Sequence, residues 1–103
     1  MAAVTKRFSK GTFATTGNTN VYIVPAGAYA IVKAVTLCNK SAADAVVTLS
    51  FGGTEVIYQH TVKAKDTITI PFLDQVINSG ESIIGIAGTA NVLNYYISGK
   101  EVT

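Results

Sequence analysis

One cysteine, Cys38, stands in the 103 residues of the chain. A disulfide framework is therefore excluded, and with it the small secreted scaffold that depends on such bridges. Charge is also scarce. Asp, Glu, Lys and Arg make up 14% of the chain, against about a quarter in an ordinary soluble domain. Hydrophobic residues make up 49%, enough for burial to offset the ordering entropy, which argues against disorder. No apolar run approaches the ~20 residues of a membrane helix. The N-terminus lacks the apolar stretch of a signal peptide, so the expectation is synthesis in a cytoplasm with no membrane partner. Tryptophan is absent, which removes the commonest platform for sugar stacking.

What charge there is lies unevenly. Lys6, Arg7 and Lys10 fall in the first ten residues with no acid among them. The rest of the chain carries five basic and six acidic side chains, a balance of −1. This reads as a flexible basic N-terminal arm over residues 1–11, ahead of one domain over residues 12–103. Such an arm is either a solvated terminus or a segment that docks on an acidic neighbour. The net charge of +2 is too small to point to nucleic acid, and the interleaved aromatic and basic residues of a single-strand groove are missing.

Valine, isoleucine, threonine and tyrosine dominate the body, punctuated by glycine, asparagine and serine. The pattern predicts about eight short strands. These are residues 12–16, 21–24, 29–38, 45–51, 54–60, 66–72, 82–87 and 92–98. Pro25-Ala26-Gly27 reads as a turn with proline at its first central position. In the long third strand, strict alternation puts Tyr29, Ile31, Lys33, Val35 and Leu37 on one face. Ala30, Val32, Ala34, Thr36 and Cys38 fall on the other. Both sets are largely apolar, so this strand is expected to lie centrally. Val47, Leu49 and Phe51 alternate inward against Thr48 and Ser50. Gly52-Gly53 is a two-residue hairpin signal. Ile68, Ile70 and Phe72 alternate inward against Thr67 and Thr69. Turn signals every eight to twelve residues predict an all-β fold, a single antiparallel β-sandwich of which the jelly roll is one form.

No catalytic constellation is visible. Cys38 and His60 are the only soft ligands or nucleophiles, and zinc needs three or four ligands at short spacing. Cys38 lies in an apolar strand and is expected in the core, with His60 at the surface. The acids Asp44, Glu55, Asp66, Asp74, Glu81 and Glu101 fall mostly in turns or at strand ends. They form no clustered calcium loop and no recognisable glycosidase pair. "GIAGTAN" is glycine-rich but joins two strands, so it is a poor phosphate cradle. No metal, cofactor or catalytic residue is expected. Tyr95 and Tyr96 point to opposite faces, one toward the core and one outward.

"VYIVPAGAYAIVKAVTLCNKSAADAVVTLSFGG", residues 21–53, resembles small β-sandwich virion accessory proteins of tailed bacteriophages and prophages. The carrying motifs are a Tyr-x-Val-Pro-Ala-Gly turn, a strand of the type Ala-Ile-Val-Lys-x-Val-x-Leu-x-Asn, a Ser/Ala/Asp loop and a Gly-Gly hairpin. "LDQVINSGESIIGIAGTANVLNYYISGKEV", residues 73–102, fits the same pattern. These motifs cover about four-fifths of the chain and are specific for fold more than role. The resemblance implies a non-enzymatic virion component: a capsid decoration protein, a head fibre, or a tail module. It would be made in the host cytoplasm and located in the virion. Its partners would be a major capsid or tail protein and further copies of itself, with a trimer favoured. The candidate partner-binding residues are Lys6, Arg7, Phe8, Lys10, Tyr22, Tyr58 and Tyr96. Two other functions stay in view. One is a glycan-binding module stacking sugars on Tyr22, Tyr58 or Tyr96. The other is a small hydrolase using the acids.

Overall fold

The computed structural model describes residues 3–71 and 73–103. The described residues contain no helix and nine strands, β1 (Ala3–Thr12), β2 (Thr19–Ile23), β3 (Tyr29–Asn39), β4 (Ala45–Phe51), β5 (Thr54–Val62), β6 (Thr67–Ile70), β7 (Gln75–Ile77), β8 (Ser82–Ala87) and β9 (Leu93–Val102). They form two sheets. The first runs β1-β9-β3-β6, with β7 pairing β3 beyond β6, and the second runs β2-β8-β4-β5. Every pairing is antiparallel. With β6 and β7 taken as two pieces on one edge of β3, the order is that of an eight-stranded jelly roll. The antiparallel β-sandwich predicted from turn spacing is the fold of this chain.

Two departures from the predicted strands stand out. Residues 3–11, expected within a flexible arm, belong to strand β1, which is paired along its length with β9. Of residues 12–16, expected as the first strand, only Thr12 is in one. The arm's low apolar content hid the strand. β1 buries only one side chain, Phe8, so most of its hold comes from the main-chain ladder, which leaves no mark in composition. The short β7 was also not foreseen. The inward expectation for Phe72 lies outside the described residues.

The long strand β3 corrects a third expectation. Its buried residues are Ala30 and Val32, then Val35, Leu37 and Asn39. Strict alternation would separate the first two from the next pair. A bulge between Val32 and Ala34 shifts the phase by one residue. β1 carries a matching irregularity between Arg7 and Ser9. The β3 bulge lies opposite Ser98 and Gly99 of the intervening β9, and the β1 irregularity lies one step along, opposite Ile97 and Ser98. Gly99 permits the close approach: a Cβ there would stand 1.9 Å from the Ile31 carbonyl oxygen and 2.8 Å from the Phe8 ring. The two irregularities therefore flank β9 on both sides around Ser98.

The core lies between the sheets. Phe13, Val32, Val35, Leu37, Leu93 and Ile97 come from the first-sheet side, and Val47, Leu49, Val62, Ile83 and Ala87 from the second. Val47, Leu49 and Phe51 point inward as their alternation predicts, with Ile68 and Ile70 part-buried. Thr48, expected outward, is buried, and its hydroxyl accepts the Gln59 amide N–H at 2.9 Å where β5 bulges. Gly52 and Gly53 both have positive φ, 59° and 86°, the backbone of a type I′ hairpin turn. The preceding turn closes with the Ala28 N–H on the Pro25 carbonyl. Pro25 thus sits at the turn's first corner, one place earlier than the sequence reading put it.

Candidate partner-binding site

The seven candidate residues separate into three groups. Lys6, Phe8 and Tyr22 come together where β1 passes over β2. Arg7, Lys10 and Tyr96 share the outer face of the first sheet. Tyr58 stands alone on β5, 65% exposed. The split between neighbours Lys6 and Arg7 follows from strand geometry, because successive side chains point to opposite faces.

The first group is already occupied internally. The Lys6 ammonium meets Glu101 at 2.7 Å, and the Tyr22 hydroxyl donates to the same carboxylate oxygen at 2.6 Å. The Phe8 ring stacks on Tyr22 with centroids 4.6 Å apart, and Lys6 lies 5.6 Å from the Tyr22 ring centre. The Lys6 hydrogen bond, with that of Tyr22 beside it, holds the Glu101 carboxyl below its ordinary range. Burial, reinforced by the neighbouring carboxylate, pushes the Tyr22 hydroxyl well above its ordinary value. These contacts fasten β1 to the sandwich. With its ring covered by Phe8, Tyr22 is a poor sugar platform. Glu101, the centre of the cluster, was seen in the sequence only as a strand-end acid. No local signal placed it beside residues 6 and 22.

The outer face is open. In register across β1, β9, β3 and β6 run two rows, Lys10–Tyr96–Thr36–Thr69 and Thr12–Asn94–Cys38–Thr67. Cross-strand neighbours share a face, so tall Lys10 and Tyr96 flank the short Thr36 and Cys38. The result is a shallow groove of about 290 Å³ lined also by Gly11, Thr12, Asn94 and Tyr95. Thr12 Oγ1 donates to Asn94 Oδ1 at 2.5 Å, and the Thr36 and Thr69 hydroxyls lie 3.2 Å apart. Arg7 sits over the Tyr96 ring, 5.8 Å from its centre. Tyr95 turns inward, as expected of one of the pair, and packs on Phe13 with centroids 4.5 Å apart.

Cys38 is not a core residue. It is half-buried and lines this groove, because the β3 bulge gives the inward positions to Leu37 and Asn39. Its neighbour Asn39 is 1% exposed and fully used. Its Nδ2 donates to the Ala43 and Val62 carbonyls at 2.8 and 2.9 Å, and its Oδ1 accepts from the Ser41 N–H and hydroxyl at 2.9 and 2.8 Å. Cys38-Asn39 is thus a strand end that organises the loop behind it.

His60 is exposed on β5. Among the described residues no three His, Cys, Asp or Glu side chains gather closely enough to hold a metal ion, and no helix is long and apolar enough to cross a membrane. Glu81 caps its own turn, accepting the Asn78 N–H at 2.8 Å, and Asp74 pairs with Lys33 at 2.6 Å. No protein-family model matches the chain, and no curated protein matches it significantly.

Proposed function

We propose that this protein is a non-enzymatic structural component of a tailed-phage virion, most simply a capsid decoration or accessory protein that binds the assembled particle. The observation that carries the reading is the resemblance of residues 21–53 and 73–102 to such proteins, set on a small jelly roll. The character of the surfaces supports it. Strands β2, β4 and β8 contain no charged residue, and Val46 and Ile86 are exposed on them. The opposite sheet presents Tyr96 under Arg7. Arg and Tyr are favoured at protein contacts, while scarce charge suits the centre of an interface. A major capsid or tail protein is the expected partner, and self-association, with a trimer favoured, is part of the proposal.

Mass spectrometry of purified particles tests it. The chain is expected as a stoichiometric particle protein, and its absence from particles overturns the reading. A second reading, glycan binding, is favoured by one observation, the Tyr96 groove with its hydroxyl and amide lining. A glycan array decides it: hits lost in Tyr96→Ala support that reading, and an array without hits removes it.

A further inference from the structure

In the first sheet β1 has one neighbour, β9. Among the described residues no strand pairs with its other edge along Ala3–Thr12. Beside that edge the outer face carries four registered rows. Two were described above, and the others are Thr5–Lys100–Ile31–Val76 and Arg7–Ser98–Ala34. The four rows hold three cations, Arg7, Lys10 and Lys100, and no carboxylate. The paired cations of the chain, Lys6 and Lys33, lie outside them. We infer that this edge and face receive an extended acidic segment of a partner protein, which pairs its main chain with β1 and sets carboxylates on Arg7 and Lys10.

A free strand edge offers a ladder of N–H and C=O groups, and an added strand takes its affinity from that ladder and its specificity from side chains. Cations on an edge strand ordinarily prevent edge-to-edge aggregation. Here the same cations select the partner. A second copy of β1 would bring Arg7 and Lys10 against like charges, whereas an acidic strand gains at both positions. Arg7 is held over Tyr96 at 5.8 Å, so less side-chain freedom is lost when it takes a carboxylate. The groove beside Lys10 and Tyr96 leaves room for side chains of the incoming segment. The irregularity between Arg7 and Ser9 interrupts the edge, so pairing runs in two stretches, Ala3–Arg7 and Ser9–Thr12, with one of the two cations on each. The inference rests on the proposed function for the existence of a protein partner.

Amide NMR on the full chain tests it, with a peptide of alternating threonine and glutamate as long as β1 and a threonine–lysine peptide as control. The acidic peptide is expected to shift β1 and β9 amides, and the basic one to leave them unmoved. R7E/K10E should weaken binding by about tenfold or more, while K63E/K65E, an equal charge change on the turn between β5 and β6, should leave it within about twofold. R7Q/K10Q replaces the reversal variant if the latter fails to fold, with a loss in the same direction. No shift on β1, or an equal loss in both charge variants, overturns the inference. Particle association is measured separately. A chain found in particles that ignores the acidic peptide defeats this inference alone.

Discussion

Glu101 shows how much one side chain can hold. It accepts from Lys6 on β1 and from Tyr22 on β2, so it joins the open edges of both sheets. Its carboxyl is held below the ordinary range. A lowered folded pKa contributes stability that is present above the unfolded value and is lost as pH falls through the folded one. Wild-type melting temperature is therefore expected to fall on acidification below the usual carboxylate pKa, more steeply than in Glu101→Gln. Parallel curves from thermal melts across pH 3–6, roughly the carboxylate range, would show that Glu101 plays no such part. Tyr22 acts at the other end of the scale. Its raised folded value means stability fully present below the ordinary tyrosine range and lost as pH rises from there through the raised folded value. Gly99 fills the opposite role, by having nothing to offer the contact. Gly99→Ala would force a Cβ against the Ile31 carbonyl, and urea unfolding is expected to show a loss of about 1–3 kcal/mol.

At the scale of elements, β1 is the strand on which the reading of the N-terminus turns. It shows little apolar content, yet it contributes Phe8 to the core, covers an edge of β9 and carries Lys6 to Glu101. A flexible arm could be removed without cost. Removing residues 1–11 from this fold exposes the β9 ladder and the Phe8 site together. The Phe8→Ala variant alone is expected to lose about 3 kcal/mol, and the deletion more. Urea midpoints for the two variants measure this, and an unchanged midpoint on deletion would return β1 to the status of an arm. The bulges of β1 and β3 belong to this scale too. They turn Ala30 and Val32 to the same side as Val35 and Leu37, and they carry Cys38 out of the core.

For the whole molecule the decisive feature is that the two sheets share one core. Residues of β3, β9, β4 and β8 meet in a single cluster with Phe13 inside it. The Phe13 ring lies where a Cβ on Gly85 would stand, 2.4 Å from the nearest ring carbon, so the sheets close tightly at that point. Neither sheet can keep its inner face dry alone. Unfolding is expected as one cooperative transition, with far-ultraviolet and tyrosine signals coincident. Separated transitions would mean that one sheet survives the loss of the other. The molecule measures 46 × 23 × 19 Å, and its broad faces are the outer sides of the sheets, one charge-poor and one basic around Tyr96. Any partner that binds broadly must use one of them.

The sequence by itself determined the class of fold. Alternation in residues 45–51 and 67–70, the Gly52-Gly53 hairpin and regular turn spacing are local signals, set by side-chain periodicity and backbone sterics, and they survive into the structure. It also required Tyr95 and Tyr96 to face opposite ways, because neighbours on a strand must part, and the structure turns Tyr95 inward and Tyr96 outward. Three matters were left to tertiary structure. β1 is a strand because β9 is there to pair it, a contact between residues about ninety positions apart. The face of each β3 residue depends on a bulge made possible by Gly99 on another strand. Of the seven candidate residues, the fold turned Lys6, Phe8 and Tyr22 toward Glu101 and left Arg7, Lys10 and Tyr96 open on one face. Each depends on long-range register, and register is an energy of pairing between strands that no local pattern contains.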